Sequence, residues 1–437
     1  MISEKIKNAG VIGAGGAGFP THIKAASKAK ILIANGAECE PLIHKDYELM
    51  LNFAERVIDG IILMLESTGA EVGIIGIKEK NELAIEAIKK SIKNNKKIQV
   101  KLLGDFYPTG DEFVLVYECT GKLIPSAGIP LDIGVVVNNV ETFYNISLAN
   151  ENIAVTEKFL CVTGAVNNPT SFFAPVGTQF DELVKIAGGI TVDNYALYVG
   201  GVMMGELNLD LSGKVTKTTS GIIVLPKHHK LITRKNQPEN NFHRIGKSAC
   251  DQCSFCTELC PRYILGYNIQ PHKVMRSLEF TKSGEDLWNE FGLLCCSCGL
   301  CTLYSCPENL YPKEACDRAK ASLRVKNIYP TKNFDVKVHP MYKHRRTPLK
   351  RLMKKLDLLT FEAKTPYKEI KFNPKKVSIK LRQGVGLPSV PCVKVGDRVK
   401  KGDLIAKIQE NKLGANHHSS IDGKIVEISD SEIVIEA

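Results

Sequence analysis

The chain has 437 residues, 14 cysteines and a formal charge of +11, a soluble globular composition of about three domain-sized units or slightly more. No apolar run reaches the roughly 18–20 residues that span a bilayer, and MISEKIKNAGVIG lacks a signal-peptide core, so a cytoplasmic protein without direct membrane insertion is expected. The positive excess is lysine spread along helices, which argues against nucleic acid as a partner; the one dense patch, KHRRTPLKRLMKK at 343–355, reads as a solvated helix face or a docking face for an acidic partner.

From the N-terminus, the loop GAGGAGFPTHIK brings Gly13, Gly15, Gly16 and Gly18 ahead of a short helical pattern, so that backbone amides can approach a phosphate closely. Only AGVI precedes it, too little for the strand of an ordinary dinucleotide turn. Runs such as KILIANGAE and AEVGIIGI then alternate with the helical pattern NELAIEAIKKSIKNN, an α/β layer filling 1–155. Residues 156–226 read as two strands joined at Asn-Asn-Pro, a helix closed by Gly188 and Gly189, and the strand GIIVL, a β-grasp pattern. A polar linker, KHHKLITRKNQPENN, leads into a cysteine region at 240–325 with short helical patterns. A basic connector punctuated by prolines covers 326–375, with one helix in PLKRLMKKLDLL, and short strands broken by Gly-Asp turns make a small barrel or sandwich of 376–437.

Nine cysteines fall between Cys250 and Cys306, and in a reducing compartment that points to metal or redox chemistry rather than disulfides. Cys250-x2-Cys253-x2-Cys256-x3-Cys260-Pro has the ferredoxin spacing, in which three thiolates hold one cluster and the fourth crosses to another. Cys295-x2-Cys298-x2-Cys301-x4-Cys306-Pro repeats it with one extra residue. Two [4Fe-4S] clusters follow: Cys250, Cys253, Cys256 and Cys306 on one, Cys260, Cys295, Cys298 and Cys301 on the other, leaving Cys296 over. A closed zinc site is the alternative, but it takes two separated pairs rather than two triplets with trailing Cys-Pro. Cys39, Cys119, Cys161, Cys316 and Cys392 read as buried small hydrophobes.

The motifs GAGGAGFPTHIK, NGAECEP, YPTGDE and NNVET, in that order, resemble the flavin- and NADH-binding subunit of respiratory complex I. VTGAVNNPTSFFAPVGTQFDELVKIAGG is similar to the soluble-ligand-binding β-grasp domain, and CPRYILGYNIQPHKVMRS resembles the dicluster region of RnfC-type proteins. With its barrel-sandwich segment last, the chain resembles the PduS-like, cobalamin-reducing branch of that flavin iron–sulfur electron-transfer family. The resemblance implies a multidomain α/β fold: a complex I flavoprotein-like α/β domain, a β-grasp domain, a helical dicluster ferredoxin domain and a C-terminal barrel-sandwich hybrid. It implies that Gly13, Gly15, Gly16, Gly18 and Lys24 line an FMN phosphate site, with Phe19 against the nicotinamide of NADH. Asn35, Asn138 and Asn139 would bond the flavin, with Glu38, Glu40 and Glu112 beside the cofactors; the bland reading of these acids is as helix caps or loop residues. The chain departs from the complex I pattern in having Ala37 at an acidic position and Asp111 before Glu112.

The function implied is an NADH-dependent oxidoreductase passing electrons through FMN and two [4Fe-4S] clusters to cobalamin or a partner redox protein, in a microcompartment or a larger protein complex. The alternatives are an electron donor of the proline-reductase-associated type, an Rnf-complex subunit, and a non-enzymatic cobalamin-binding or scaffold protein. The last segment also resembles biotinyl and lipoyl carriers, with Lys412 near the hairpin tip, but it lacks the methionines that flank a modified lysine. His417 and His418 are expected to face solvent.

Overall fold

The computed structural model describes residues 1–238, 249–277 and 288–437. The expected start of the cysteine region at residue 240, and the end of the linker before it, lie outside the described residues. Aliphatic runs build a parallel four-stranded sheet in the order Ile98–Leu103, Val72–Lys78, Ile31–Gly36, Val135–Asn139. Alternate side chains serve its two faces. Leu32, Ala34, Ile75 and Val136 pack with the helices Ala54–Thr68 and Val140–Asn150, whereas Ile33, Val135 and Val137 meet Leu115 and Val116 of helix Glu112–Thr120. Each fully buried aliphatic side chain here is worth roughly 1.5–3 kcal/mol. Gly60 lets the first two helices close on one another, since a Cβ there would lie 1.9 Å from the Phe143 carbonyl oxygen.

The glycine loop precedes the first strand, as its short lead-in suggests. Helix Ile2–Asn8 leads to a bridge between Ile12 and Pro20, and the Gly13 amide donates to the Phe19 carbonyl at 2.9 Å. The helix after the loop, Thr21–Ala25, is only five residues long, so the backbone around the glycines, not a helix dipole, supplies most of the loop's polarity.

The next unit is a five-stranded sheet in the order Thr170–Pro175, Glu157–Gly164, Gly221–Pro226, Tyr195–Val199, Glu206–Asn208. Its first and last long strands run parallel as central neighbours. Helix Phe180–Ile186 buries Leu183 and Val184 with Leu160, Val162 and Ile222, and ends at Gly188 and Gly189, both at positive φ. That is the β-grasp arrangement.

Residues 326–375, expected as a connector, form a strap. Thr347–Pro348 pairs with Phe106–Tyr107 of the first unit, Tyr367 bridges to Ser171 of the β-grasp, and helix Leu349–Lys355 buries Leu352 and Met353 in a core with Leu42 and Tyr198. Part of the basic patch is spent within the molecule: Arg345 pairs with Glu258 at 3.1 Å and Arg346 with Glu118 at 3.2 Å. The final unit is two small sheets, Lys376–Lys380, Glu432–Glu436, Gly423–Ile428 and Arg398–Val399 against Val390–Pro391, Leu404–Lys407 and His417–His418. Lys412 is exposed in a turn. His417 and His418 are not solvent-facing: both are buried, His417 bonding the Leu381 carbonyl at 3.1 Å, and burial pushes the His418 imidazole down to about 3.

No helix among the described residues is long and apolar enough to cross a membrane.

Candidate functional site

Parallel registration sets Asn35 beside Asn139 at the carboxyl ends of adjacent strands, the rim where open α/β sheets take ligands, and the glycine loop lies over that rim. The Ala14 amide donates to Thr142 Oγ1 at 3.0 Å, and a Cβ on Gly15 would meet Asn139 at 3.3 Å. Gly16, at φ +120°, has open space where a side chain would go. Gly18, at φ +65°, is walled in by the C-terminal barrel: a Cβ there would lie 2.6 Å from Gly384 Cα. Lys24 reaches back to the Val137 carbonyl at 2.7 Å and stands 4.0 Å from Glu112, with Phe19 alongside it. Burial pushes the Glu112 carboxyl above its usual range and the Lys24 ammonium below its own, each partly offset by the other.

The asparagines divide. Asn35 donates to the Gly110 carbonyl at 2.9 Å and accepts from the Ala37 amide, while Asn139 caps helix Val140–Asn150 and donates to Asp46 at 2.7 Å. Asn138 alone keeps a buried amide nitrogen without a partner, as does the Thr21 hydroxyl beside the loop. Buried polar atoms are normally paired, so two orphaned groups beside an open glycine loop and a lysine fit a polar, phosphate-bearing planar ligand such as FMN.

The acids serve different ends. The Glu40 carboxylate accepts from the Met203 and Met204 amides at 3.0 and 2.9 Å, tying the NGAECEP loop to a β-grasp turn, and burial lifts it to about 7. Glu38 stays near the rim and is raised to about 8 by burial and by Asp46, against the pull of Lys45. Asp111 caps helix Glu112–Thr120 through the Phe113 and Val114 amides and pairs with Arg262 at 2.9 Å.

Beneath the loop lies a charged network that sequence reasoning missed. Lys45 bonds Asp46 at 2.5 Å and Glu141 at 2.9 Å, and Lys158 bonds Glu141 at 2.6 Å and the Ala14 carbonyl at 3.1 Å. Burial depresses Lys158 to about 8 although Glu141 opposes it. Glu141 sits in NNVET, so the motif carried a signal; Lys45 and Lys158 look like surface lysines in sequence. Lys217 was also missed. It is buried where the three units meet, donating to the Gly10 and Asn416 carbonyls at 2.7 and 2.8 Å.

The cysteines gather in two cavities. Cys250, Cys253, Cys256 and Cys306 line one, with Cys256 central to the other three. Cys260, Cys295, Cys298 and Cys301 line the other, where Cys296 joins them. Among the described residues no three His, Cys, Asp or Glu side chains close on a single point as one metal ion needs, and each set surrounds a space instead. Cys253 is exposed, with Phe255 half exposed beside it, whereas all four cysteines of the second set are buried. The second set adjoins the flavin unit: the Tyr107 hydroxyl donates to the Cys298 carbonyl at 2.7 Å, and Gly299 packs on the Met203 turn that Glu40 holds. Of the other cysteines, Cys161 and Cys316 are buried as expected, but Cys392 is exposed and Cys39 and Cys119 are only partly covered. A cavity of about 680 Å³ lies away from all of these, between Tyr144, Tyr367, Lys401 and Asp422.

Four family models match the sequence: the Nuo51 FMN-binding domain over 6–148, the SLBB domain over 159–207, the 4Fe-4S dicluster domain over 249–311 and the RnfC barrel sandwich hybrid domain over 360–437. Together they bear out the multidomain α/β fold expected from sequence. The proteins named cobalamin reductase PduS in Citrobacter freundii and Salmonella typhimurium are each 38% identical over 438 residues, covering 99% of this chain and 96% of theirs. A component of the Na(+)-translocating ferredoxin:NAD(+) oxidoreductase complex of Acetobacterium woodii is 35% identical over 61% of this chain and 59% of its own. An NAD+-reducing [NiFe]-hydrogenase structure in the H2-reduced state aligns with a TM-score of 0.49 at 22% identity, over 77% of this chain and 63% of that one.

Proposed function

The chain belongs to the RnfC/PduS family of flavin iron–sulfur oxidoreductases, and from that premise we propose that it is an NADH-dependent reductase whose acceptor is cobalamin. Its class is oxidoreductase and its cofactor set is FMN, two [4Fe-4S] clusters and NADH. Bound at the rim, FMN exchanges a two-electron donor for one-electron carriers. In this reading the loop Gly13–Gly18 with Lys24 receives the phosphate, Asn138 and Thr21 supply the free polar groups for the flavin, and Phe19, Glu38 and Glu112 border the nicotinamide. Asn35, Asn139 and Glu40 shape the rim through the bonds they already make. The crossed cysteine sets hold the clusters, the buried one toward the flavin unit and the one with Cys253 toward the acceptor. The division of the chain near residues 155, 226, 325 and 375, and a cytoplasmic location, belong to the same proposal.

The observation that carries the reading is the placement of the second cysteine set against the sheet rim, through Tyr107 and the Glu40-held turn. An anaerobic titration with NADH tests it, with flavin and iron quantified on the same sample and cob(III)alamin added last. Flavin bleaching, then loss of the broad cluster absorbance, then reoxidation as the corrin is reduced is the expected order. Iron without flavin, or a spectrum indifferent to NADH, refutes it. A partner protein as acceptor is the second reading, favoured by the half-exposed Phe255 beside Cys253; in a larger electron-transfer complex or a microcompartment, docking would use that edge. Reoxidation by a redox protein but not by cobalamin selects it.

A further inference from the structure

Arg262 follows Cys260 by two residues and is nearly enclosed, its side chain 11% exposed. One guanidinium nitrogen, Nη2, bonds Asp111 at 2.9 Å, and the guanidinium carbon lies 3.6 Å from the Phe113 ring centroid. Both partners belong to the start of helix Glu112–Thr120, in the flavin unit. On the other side the guanidinium adjoins the Cys296 side chain. Its Nε is buried with no hydrogen-bond partner. Arginine always carries its charge, and a forked, planar group held by a carboxylate and stacked on a ring has one orientation. Cys296 lines the cavity formed by Cys260, Cys295, Cys298 and Cys301, so this fixed charge and free donor stand at the edge of that cavity.

We propose that Arg262 is a positioning residue that sets the reduction potential of the second cluster and couples it to the flavin unit. Each reduction adds a negative charge to a cluster, and a nearby cation or N–H donor stabilises the reduced form, which raises the potential. Asp111 keeps the guanidinium aimed at the sulfur side, so the flavin helix and the cluster share one rigid link. Among the described residues, the charged side chains along the cavity at the exposed end are the acidic Asp251 and Glu308, with His272 beside them, and the cation near that set, Lys355 by Cys306, is solvent-exposed where Arg262 is enclosed. The protein therefore makes the two sites unequal. The proposal rests on the cluster reading above.

The test is an anaerobic redox titration followed by electron paramagnetic resonance on wild type, Arg262→Gln and Asp111→Asn, with iron and flavin measured per chain. Asparagine also caps helices, so Asp111→Asn removes the ion pair and keeps the helix start. We expect one of the two cluster signals to move to lower potential in Arg262→Gln, where the cation is lost, and the same signal to move to higher potential in Asp111→Asn, where an opposing negative charge is lost, with the other signal unmoved and iron content unchanged. Equal shifts of both signals, or none, overturn the proposal. If Arg262→Gln fails to load iron, Asp111→Asn decides alone, by the same criterion. A wild-type protein without two reducible cluster signals overturns the cluster reading itself, a result distinct from two signals that ignore Arg262.

Discussion

Lys217 offers a direct test of how the three units are joined. Its ammonium is buried among carbonyls with no carboxylate beside it among the described residues, and burial depresses it from 10.5 to about 7. A neutral amine has two N–H donors, and two acceptors are present, the Gly10 and Asn416 carbonyls; the third proton of the ammonium has nowhere to go. The unfolded chain keeps the lysine protonated up to about pH 10, so above pH 7 the unfolded state binds one more proton than the folded state and stability rises with pH. The slope approaches about 1.4 kcal/mol per pH unit, which gives roughly 2–3 kcal/mol between pH 7.5 and 9.5. Below pH 7 both states hold the proton and the contribution is flat. The perturbation is Lys217→Met, which fills similar volume without a titrating group. Anaerobic guanidinium unfolding of both proteins across that range should show the wild type gaining about 2–3 kcal/mol relative to the variant, whatever their offset at pH 7.5. Parallel lines for the two proteins would refute the reasoning, because every other titrating group is common to both.

Three further outcomes follow from the geometry. Gly18→Ala places a Cβ against Gly384 at positive φ; the left-handed backbone alone costs about 1–2 kcal/mol, so we expect lower stability and a reduced flavin-to-protein ratio, read by unfolding and by absorbance. Lys24→Met removes the ammonium beside the loop, at a cost of about 1.5–3 kcal/mol, or roughly 10- to 150-fold in flavin affinity, measured by flavin release on dialysis. Cys260→Ser should erase the same resonance signal as Cys298→Ser, and Cys306→Ser the same one as Cys253→Ser; grouping by sequence proximity instead would refute the crossed arrangement.

The cysteine triplets and the glycine loop could be read directly because their chemistry needs ligands and amides at short, fixed spacing, and the alternation in KILIANGAE and AEVGIIGI marked the buried sheet for the same local reason. What joins the units could not be read. Arg262 and Asp111 are 151 positions apart, Lys217 and Gly10 207 apart, Glu40 and Met203 163 apart, and no periodicity announces such a partner. Residues 326–375 have the prolines of a linker, yet short backbone pairings with Phe106–Tyr107 and Ser171 make them a strap. NHHSS has the polarity of a loop, but a two-residue strand there turns His417 and His418 inward. Asn35 and Asn139 stand in family motifs, and only the folded arrangement shows that their amides also bond Gly110 and Asp46.

Gly18 is walled by Gly384, so a loop made early is completed by residues made late. At about 5–20 residues per second, ribosomes need roughly 20–70 s to travel from one glycine to the other. Throughout that interval the nascent chain carries an unfinished cradle, open on the side the barrel later covers. A cradle closed on that side therefore exists only once the last segment of the chain has been made and packed.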